Sequence, residues 1–185
     1  GALTTGDNNV AVGLNALDAN TTGADNTAIG TSALTANTTG AENVSLGFKA
    51  MLYGTTGDYN VALGACTLGG GEVNTGDHNI AIGRKSMFVN GTGDCNVAIG
   101  GGSMAANTTG DNNVAVGSLS LDANTTGATN VALGYCALTA NTTASNNVAV
   151  GASSLKTNTT GTRNVAVGTS AFLTSTTASD SVMIG

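Results

Sequence analysis

The hydrophobic pattern of this chain is short and recurrent. A triplet of two aliphatic residues around a small one, Val10-Ala11-Val12, is followed by Gly13 and preceded by Asn9. The same unit returns with its first residue at Asn26, Asn43, Asn60, Asn79, Asn96, Asn113, Asn130, Asn147, Asn164 and Ser181. Every step is 17 residues except the step of 19 from Asn60 to Asn79. A fixed period of this kind takes precedence over any local reading, because it marks a stacked-repeat architecture. The triplet alternates with period 2 and carries β-branched ends, which predicts a strand. A second β-like piece is expected at the Ala/Ser-Leu step, as in Ala16-Leu17 and Ala137-Leu138, followed by the polar turn cluster Asn-Thr-Thr-Gly. Seventeen residues are too few for two helices and a turn, but they suit one rung of a coil. The expected fold is all-β: a parallel β-solenoid (β-roll) of eleven 17-residue rungs, trimeric, with residues 1–185 as a single repeat domain.

If each copy is one rung, equivalent residues stack about 4.8 Å apart and each column reports its surroundings. The columns of Val10, of Val12 and Ile29, and of Leu17 and Leu34 are aliphatic almost throughout and are expected to form the core. The Ala11 column points the other way along the strand, yet it holds Ala28, Ala62, Ala98 and Ala115 instead of charged residues. Small side chains on an outer face predict that a second copy of the chain packs there, making Ala11, Ala28, Ala62, Ala98 and Ala115 an oligomer face. Asn9, Asn26, Asn43 and Asn113 are expected to stack as an amide ladder along the axis, and Thr22 and Thr39 as a threonine ladder. The one irregularity, 69–74, adds two residues to its rung and predicts a surface bulge. Phe48, Tyr53, Tyr59, Arg84, Lys85 and Phe88 gather near it in the sequence, so a surface contact is placed there, the alternative being a tolerated length change.

Composition narrows the function. The chain has five Lys and Arg, a net charge of −6, 3% aromatic residues and no Pro or Trp. The basic residues are too few and too scattered for a nucleic-acid groove. No apolar run approaches the roughly 18 residues of a membrane span, so no membrane insertion is expected. The single histidine, His78, lies in a variable turn column with no break in the repeat around it, which argues against a Ser-His-Asp or Cys-His site. Asp58, Asp77, Asp94 and Asp111 share one column after the turn glycine. They read as turn residues bonding their own backbone; the alternative is a cation such as Ca²⁺ drawn by stacked like charges, although the nine-residue Ca²⁺-binding roll signature is absent. Cys66 and Cys136 share a column four rungs apart, roughly 19 Å, beyond disulfide reach. Asn-x-Thr/Ser recurs at Asn20, Asn37, Asn43, Asn90, Asn107, Asn124, Asn141 and Asn158, as glycosylation acceptors or as copies of one turn. No catalytic residue, metal ligand or cofactor is assigned, and no enzyme activity is expected.

The Asn-Val-Ala-Val-Gly and Asn-Thr-Ala-Ile-Gly units resemble the heads of trimeric autotransporter adhesins, and the longer form with Ala-Leu and Asn-Thr-Thr-Gly resembles repeat shafts of bacteriophage tail fibres. The resemblance covers Asn9 to Gly185 and implies a trimerising roll without catalytic residues. The expected role is a rigid shaft of a phage tail fibre or cell-surface adhesin that positions a receptor-binding tip, located outside the cell or on a virion. Its partners would be further copies of itself and a cell-surface receptor or glycan. The alternatives are a self-assembling extracellular filament and an ice-binding solenoid.

Overall fold

The computed structural model describes residues 5–70 and 73–185. Eleven three-residue strands follow one another: β1 (Val10–Val12), β2 (Thr27–Ile29), β3 (Val44–Leu46), β4 (Val61–Leu63), β5 (Ile80–Ile82), β6 (Val97–Ile99), β7 (Val114–Val116), β8 (Val131–Leu133), β9 (Val148–Val150), β10 (Val165–Val167) and β11 (Val182–Ile184). They form a single sheet in sequence order. Pairing is parallel and shifted by one repeat, with Val10 opposite Thr27 and Val12 opposite Ile29. The two-residue insertion is absorbed outside the sheet, since Val61 still pairs with Ile80. The chain is an all-β, parallel β-solenoid of about ten turns.

Only three residues per rung are strand, yet the turns are bonded axially as well. The Leu17 N–H donates to Ala33 O at 3.0 Å and the Thr22 N–H to Thr38 O at 3.1 Å, toward the next rung. The Ser32 N–H donates back to Leu14 O at 2.8 Å and the Asp25 N–H back to Asp7 O at 3.0 Å. Each rung therefore donates and accepts on both sides, which is how irregular backbone can be buried without orphaned groups.

The expected second strand is a turn instead. Two of its columns lie in the left-handed region, as at Lys85 (φ 56°) with Met87 (φ 47°) and Leu119 (φ 56°) with Leu121 (φ 51°). Left-handed backbone costs a non-glycine residue roughly 1 kcal/mol or more. The residue in the second column is fully buried in most rungs, Leu34, Met51, Met87, Met104, Leu121, Leu138 and Leu155 among them. Burying a side chain of that size returns about 2 kcal/mol. The kink thus aims one long side chain per rung at the coil axis.

Inside and outside are reversed from the sequence expectation. Ala28, Ala62, Ala98 and Ala115 are completely buried and pack with Leu34, Leu121 and their counterparts in one core. They cannot be an oligomer face. Ala11 is exposed only because β1 is the first strand of the stack. Val12 and Ile29 do stack in register, but on the outer surface, at 55% and 36% exposure. The physical reason is width. A 17-residue coil has room at its axis for one Leu or Met per rung, and the strand opposite can then contribute no more than a methyl group. Leu17 and Leu34 are core, as expected.

Two amide ladders fill the rest of the interior. In the expected one, the Asn26 backbone N–H donates to Asn9 Oδ1 at 2.9 Å and the Asn43 N–H to Asn26 Oδ1 at 3.0 Å. The Asn113 side chain donates to Asn96 Oδ1 at 3.1 Å and to Gly127 O at 2.9 Å. The second ladder was not foreseen. Asn124 Nδ2 donates to Asn107 Oδ1 and also to Gly127 O, both at 2.9 Å. One turn carbonyl thus ties the two ladders together. This second ladder supplies seven of the eight Asn-x-Thr sites, and Asn43 in the first supplies the other; all eight are buried. A glycan on any of them would displace a hydrogen-bonded interior amide, so the turn reading of these motifs holds and folded coil excludes the glycan.

Two pairs of substitutions test this arrangement. A Cβ built at either Gly117 or Gly110 would lie no more than 2.5 Å from the next rung's carbonyl oxygen, but Gly117 also has φ 134°, whereas the Gly110 column already accepts Ala144 and Ala178. Gly117→Ala should cost at least about 2 kcal/mol and Gly110→Ala clearly less, read from urea unfolding by circular dichroism. Asn113→Asp would set a buried carboxylate against Gly127 O and Asn96 Oδ1, at a cost of about 3–5 kcal/mol. Asn112→Asp, in an exposed column that already holds Asp25 and Asp180, should leave the midpoint within about 0.5 kcal/mol of wild type.

Candidate functional site

With the small residue of each triplet turned inward, the two aliphatic columns of the strands face out. Every position in them is Val, Ile or Leu except Thr27. Ile99 is 37% exposed and Leu46 46%. Eleven strands at the usual spacing give a stripe roughly 48 Å long and about 10 Å wide, on the order of 500 Å². A solvated strand face normally alternates apolar-in with polar-out. Here the outer face is the more apolar of the two by side-chain size, and it carries no charge. An apolar stripe of this size is as large as the largest patches that monomers expose, which are often functional.

The other sequence-derived residues are spread around the coil. Thr22 and Thr39 do form an exposed ladder, and their hydroxyls bond to no protein atom among the described residues. The preceding threonines turn back to the chain: Thr21 Oγ1 donates to Thr38 O at 2.8 Å and Thr108 Oγ1 to Thr125 O at 2.9 Å. Of these two threonine columns, the one containing Thr22 and Thr39 is the one that faces solvent among the described residues.

The aspartates of one column act as axial caps. The Asp58 N–H donates to Asp77 Oδ1 at 2.8 Å, the Asp77 N–H to Asp94 Oδ1 at 2.8 Å and the Asp94 N–H to Asp111 Oδ1 at 2.9 Å. Ser145 Oγ takes the same place for the Ala128 N–H at 2.9 Å. Each carboxylate thus has a backbone partner, but on the preceding rung and not in its own turn as expected. Among the described residues, no group of three or more His, Cys, Asp or Glu is placed to hold a metal ion. Cys66, Cys95 and Cys136 are all free thiols.

The column containing His78 pairs along the axis at the surface. His78 stacks on Tyr59 with ring centroids 4.7 Å apart and planes within 1°. A hydrogen bond to Glu42 and that residue's negative charge push the Tyr59 hydroxyl above its ordinary pKa. At the far end of the same column Arg163 Nη2 donates to Asp180 Oδ2 at 2.8 Å, and this contact holds the Asp180 carboxyl below its ordinary value. Exposed pairs of this kind contribute little each.

The four aromatic residues do not converge. Phe48, Tyr53, Tyr59 and Phe88 occupy four different columns, the first three exposed and Phe88 half-buried. Two of them flank the insertion from opposite sides: its Gly70 N–H donates to Phe88 O at 2.7 Å and its Asn74 N–H to Tyr53 O at 3.0 Å. Gly71 and Glu72 of that insertion lie outside the described residues. Arg84, Lys85 and Phe88 were expected near a surface contact, but sequence reasoning missed that they bound a notch, closed on the other side by Asp122, with a volume of about 570 Å³. Its signal in the sequence was Gly101-Gly102, two successive variable positions with no side chain. Comparison with protein-family models, with curated proteins and with solved structures finds no match to this chain.

Proposed function

We propose that this chain is a rigid structural segment of an extracellular fibre, the shaft of a phage tail fibre or of a cell-surface adhesin, and that it associates with further copies of itself as a trimer. The observation that carries the reading is the uncharged Val/Ile/Leu stripe running the length of a coil whose interior is already full. The self-association expected from the alanine column is thereby moved to the opposite face of the same strands. Three stripes meeting around a common axis would bury the aliphatic columns and leave the turns outside. Axial hydrogen bonding through strands and turns alike supports a stiff rod about 5 nm long, suited to holding a binding tip away from a surface.

A self-assembling filament of such rods is the alternative, and electron microscopy separates them, because discrete short rods count against it. The exposed Thr22 column favours an ice-binding reading to a lesser degree. Its single file lacks the second column of a flat array, and a freezing-point assay without thermal hysteresis would dispose of it.

The shaft reading is tested in solution. Light scattering after size exclusion should give about three times the 17.8 kDa chain mass. Ile99→Lys combined with Val167→Lys places two charges on the stripe without touching the core, since both positions are exposed. This variant should keep the circular dichroism of the coil and run as a monomer. A wild-type monomer would overturn the self-association.

A further inference from the structure

A convex rod made of identical rungs has few concavities. The notch beside Phe88 exists because one rung withholds its side chains. Where neighbouring rungs carry Arg84, Lys85 and Phe88 on one side and Ser118, Leu119 and Asp122 on the other, the intervening rung has Gly101, Gly102 and Ala105. The opening is therefore one rung thick, about 4.8 Å, the thickness of a single ring lying flat between two walls. Its floor is fixed by axial bonds: the Gly102 N–H donates to Arg84 O and the Leu119 N–H to Gly101 O, both at 3.1 Å, and Ser118 Oγ donates to Gly101 O at 3.0 Å.

The two walls differ in chemistry. On an acidic chain with only five basic side chains, two of them, Arg84 and Lys85, stand side by side here. Lys85 Nζ sits over the Phe88 ring, 5.2 Å from its centroid. The opposite wall offers the Leu119 side chain and the Asp122 carboxyl, which burial pushes up from its ordinary pKa. A ligand that matches is flat on one face, carries an anion for the guanidinium and ammonium groups, and has hydroxyls to donate to Asp122. We propose that this notch binds the carboxylate-bearing ring of an acidic polysaccharide, a uronic-acid type of sugar. Arg84 would pair with the carboxylate in two-point fashion, Phe88 would take the apolar face of the ring, and Asp122 would accept from a ring hydroxyl. None of the outward Val/Ile/Leu positions lines the notch, so binding there needs only the folded coil, whether or not copies of the chain associate.

The test is calorimetric titration of the full chain at low salt with trigalacturonate, and with its methyl ester, which removes the charges and adds one methyl group per carboxylate. Two variants accompany the wild type. Arg84→Gln with Lys85→Gln removes the cations. Gly101→Tyr fills the slot with a residue the same column already carries as Tyr135, and Gly102→Leu, matching Leu119 one rung on, is its substitute should Gly101→Tyr alter the circular dichroism. The wild type should bind the acid at least tenfold more tightly than the ester, and both the cation-free and the filled variants should lose at least tenfold. No binding of trigalacturonate by the wild type would overturn the proposal. So would equal binding of acid and ester, or undiminished binding by the filled variant, which would mark Arg84 and Lys85 as a surface charge patch without a slot.

Discussion

Every interior side chain in this coil meets its own counterpart from the next rung, and that self-contact decides what the interior can contain. A column of amides satisfies itself along its run, because an Asn can both donate and accept: Asn141 donates to Asn124 Oδ1, and Asn124 to Asn107 Oδ1, while Asn158 Oδ1, with Ser175 next in its column, is left without a partner. A column of carboxylates cannot, having acceptors only. The stacked aspartates therefore sit at the surface edge, where the partner is a backbone N–H. Aliphatic residues stack on themselves without conflict. The low charge and the abundance of Asn, Ala and Leu follow from this constraint before any function is considered.

The second consequence is cross-sectional. The axis takes one Leu or Met per rung from a left-handed turn residue and a methyl group from the strand, with buried Ala, Ser or Thr67 and two amides around them. Each rung buries little apolar surface, so a lone rung has no stability of its own and cohesion accumulates with stacking. Polar groups carry an unusual share of that cohesion. Ser86 Oγ bonds to Ala98 O and Ser103 Oγ to Ala115 O inside the coil, so these serines at alanine positions find carbonyls, whereas Ser154 Oγ in the same column is buried without a partner.

Much of this was legible in the sequence. The period located every strand, its register across the two-residue insertion and the Asn9 ladder, since those depend only on residues repeating. The orientation was not legible. Alternation states that Ala11 and Val12 face opposite ways but not which way is inward, and the usual rule that larger aliphatic residues go inside points the wrong way here. A column confined to alanine was a sign of limited space, and the space proved to be the coil's own interior. The left-handed Leu and Met residues were equally hidden, because nothing in Ala-Leu distinguishes an extended step from a kink that tertiary packing pays for. The second Asn ladder was masked by its resemblance to a turn motif.

The same constraint locates where function can vary. Interior columns must match along the whole stack, so a change in one rung disturbs two neighbours. The turn columns beyond the strand are free of this: one of them reads Leu14, Thr31, Phe48, Ala65, Arg84, Gly101, Ser118, Tyr135. Adding side chains there only roughens a convex surface. Removing them from one rung, between two rungs that keep theirs, makes a slot with walls already held by axial hydrogen bonds. Such a slot needs no change of fold and no loop, and its chemistry is set by whichever residues flank it. A stacked rod can therefore gain or lose such a slot by two or three substitutions while its axial hydrogen bonding stays the same.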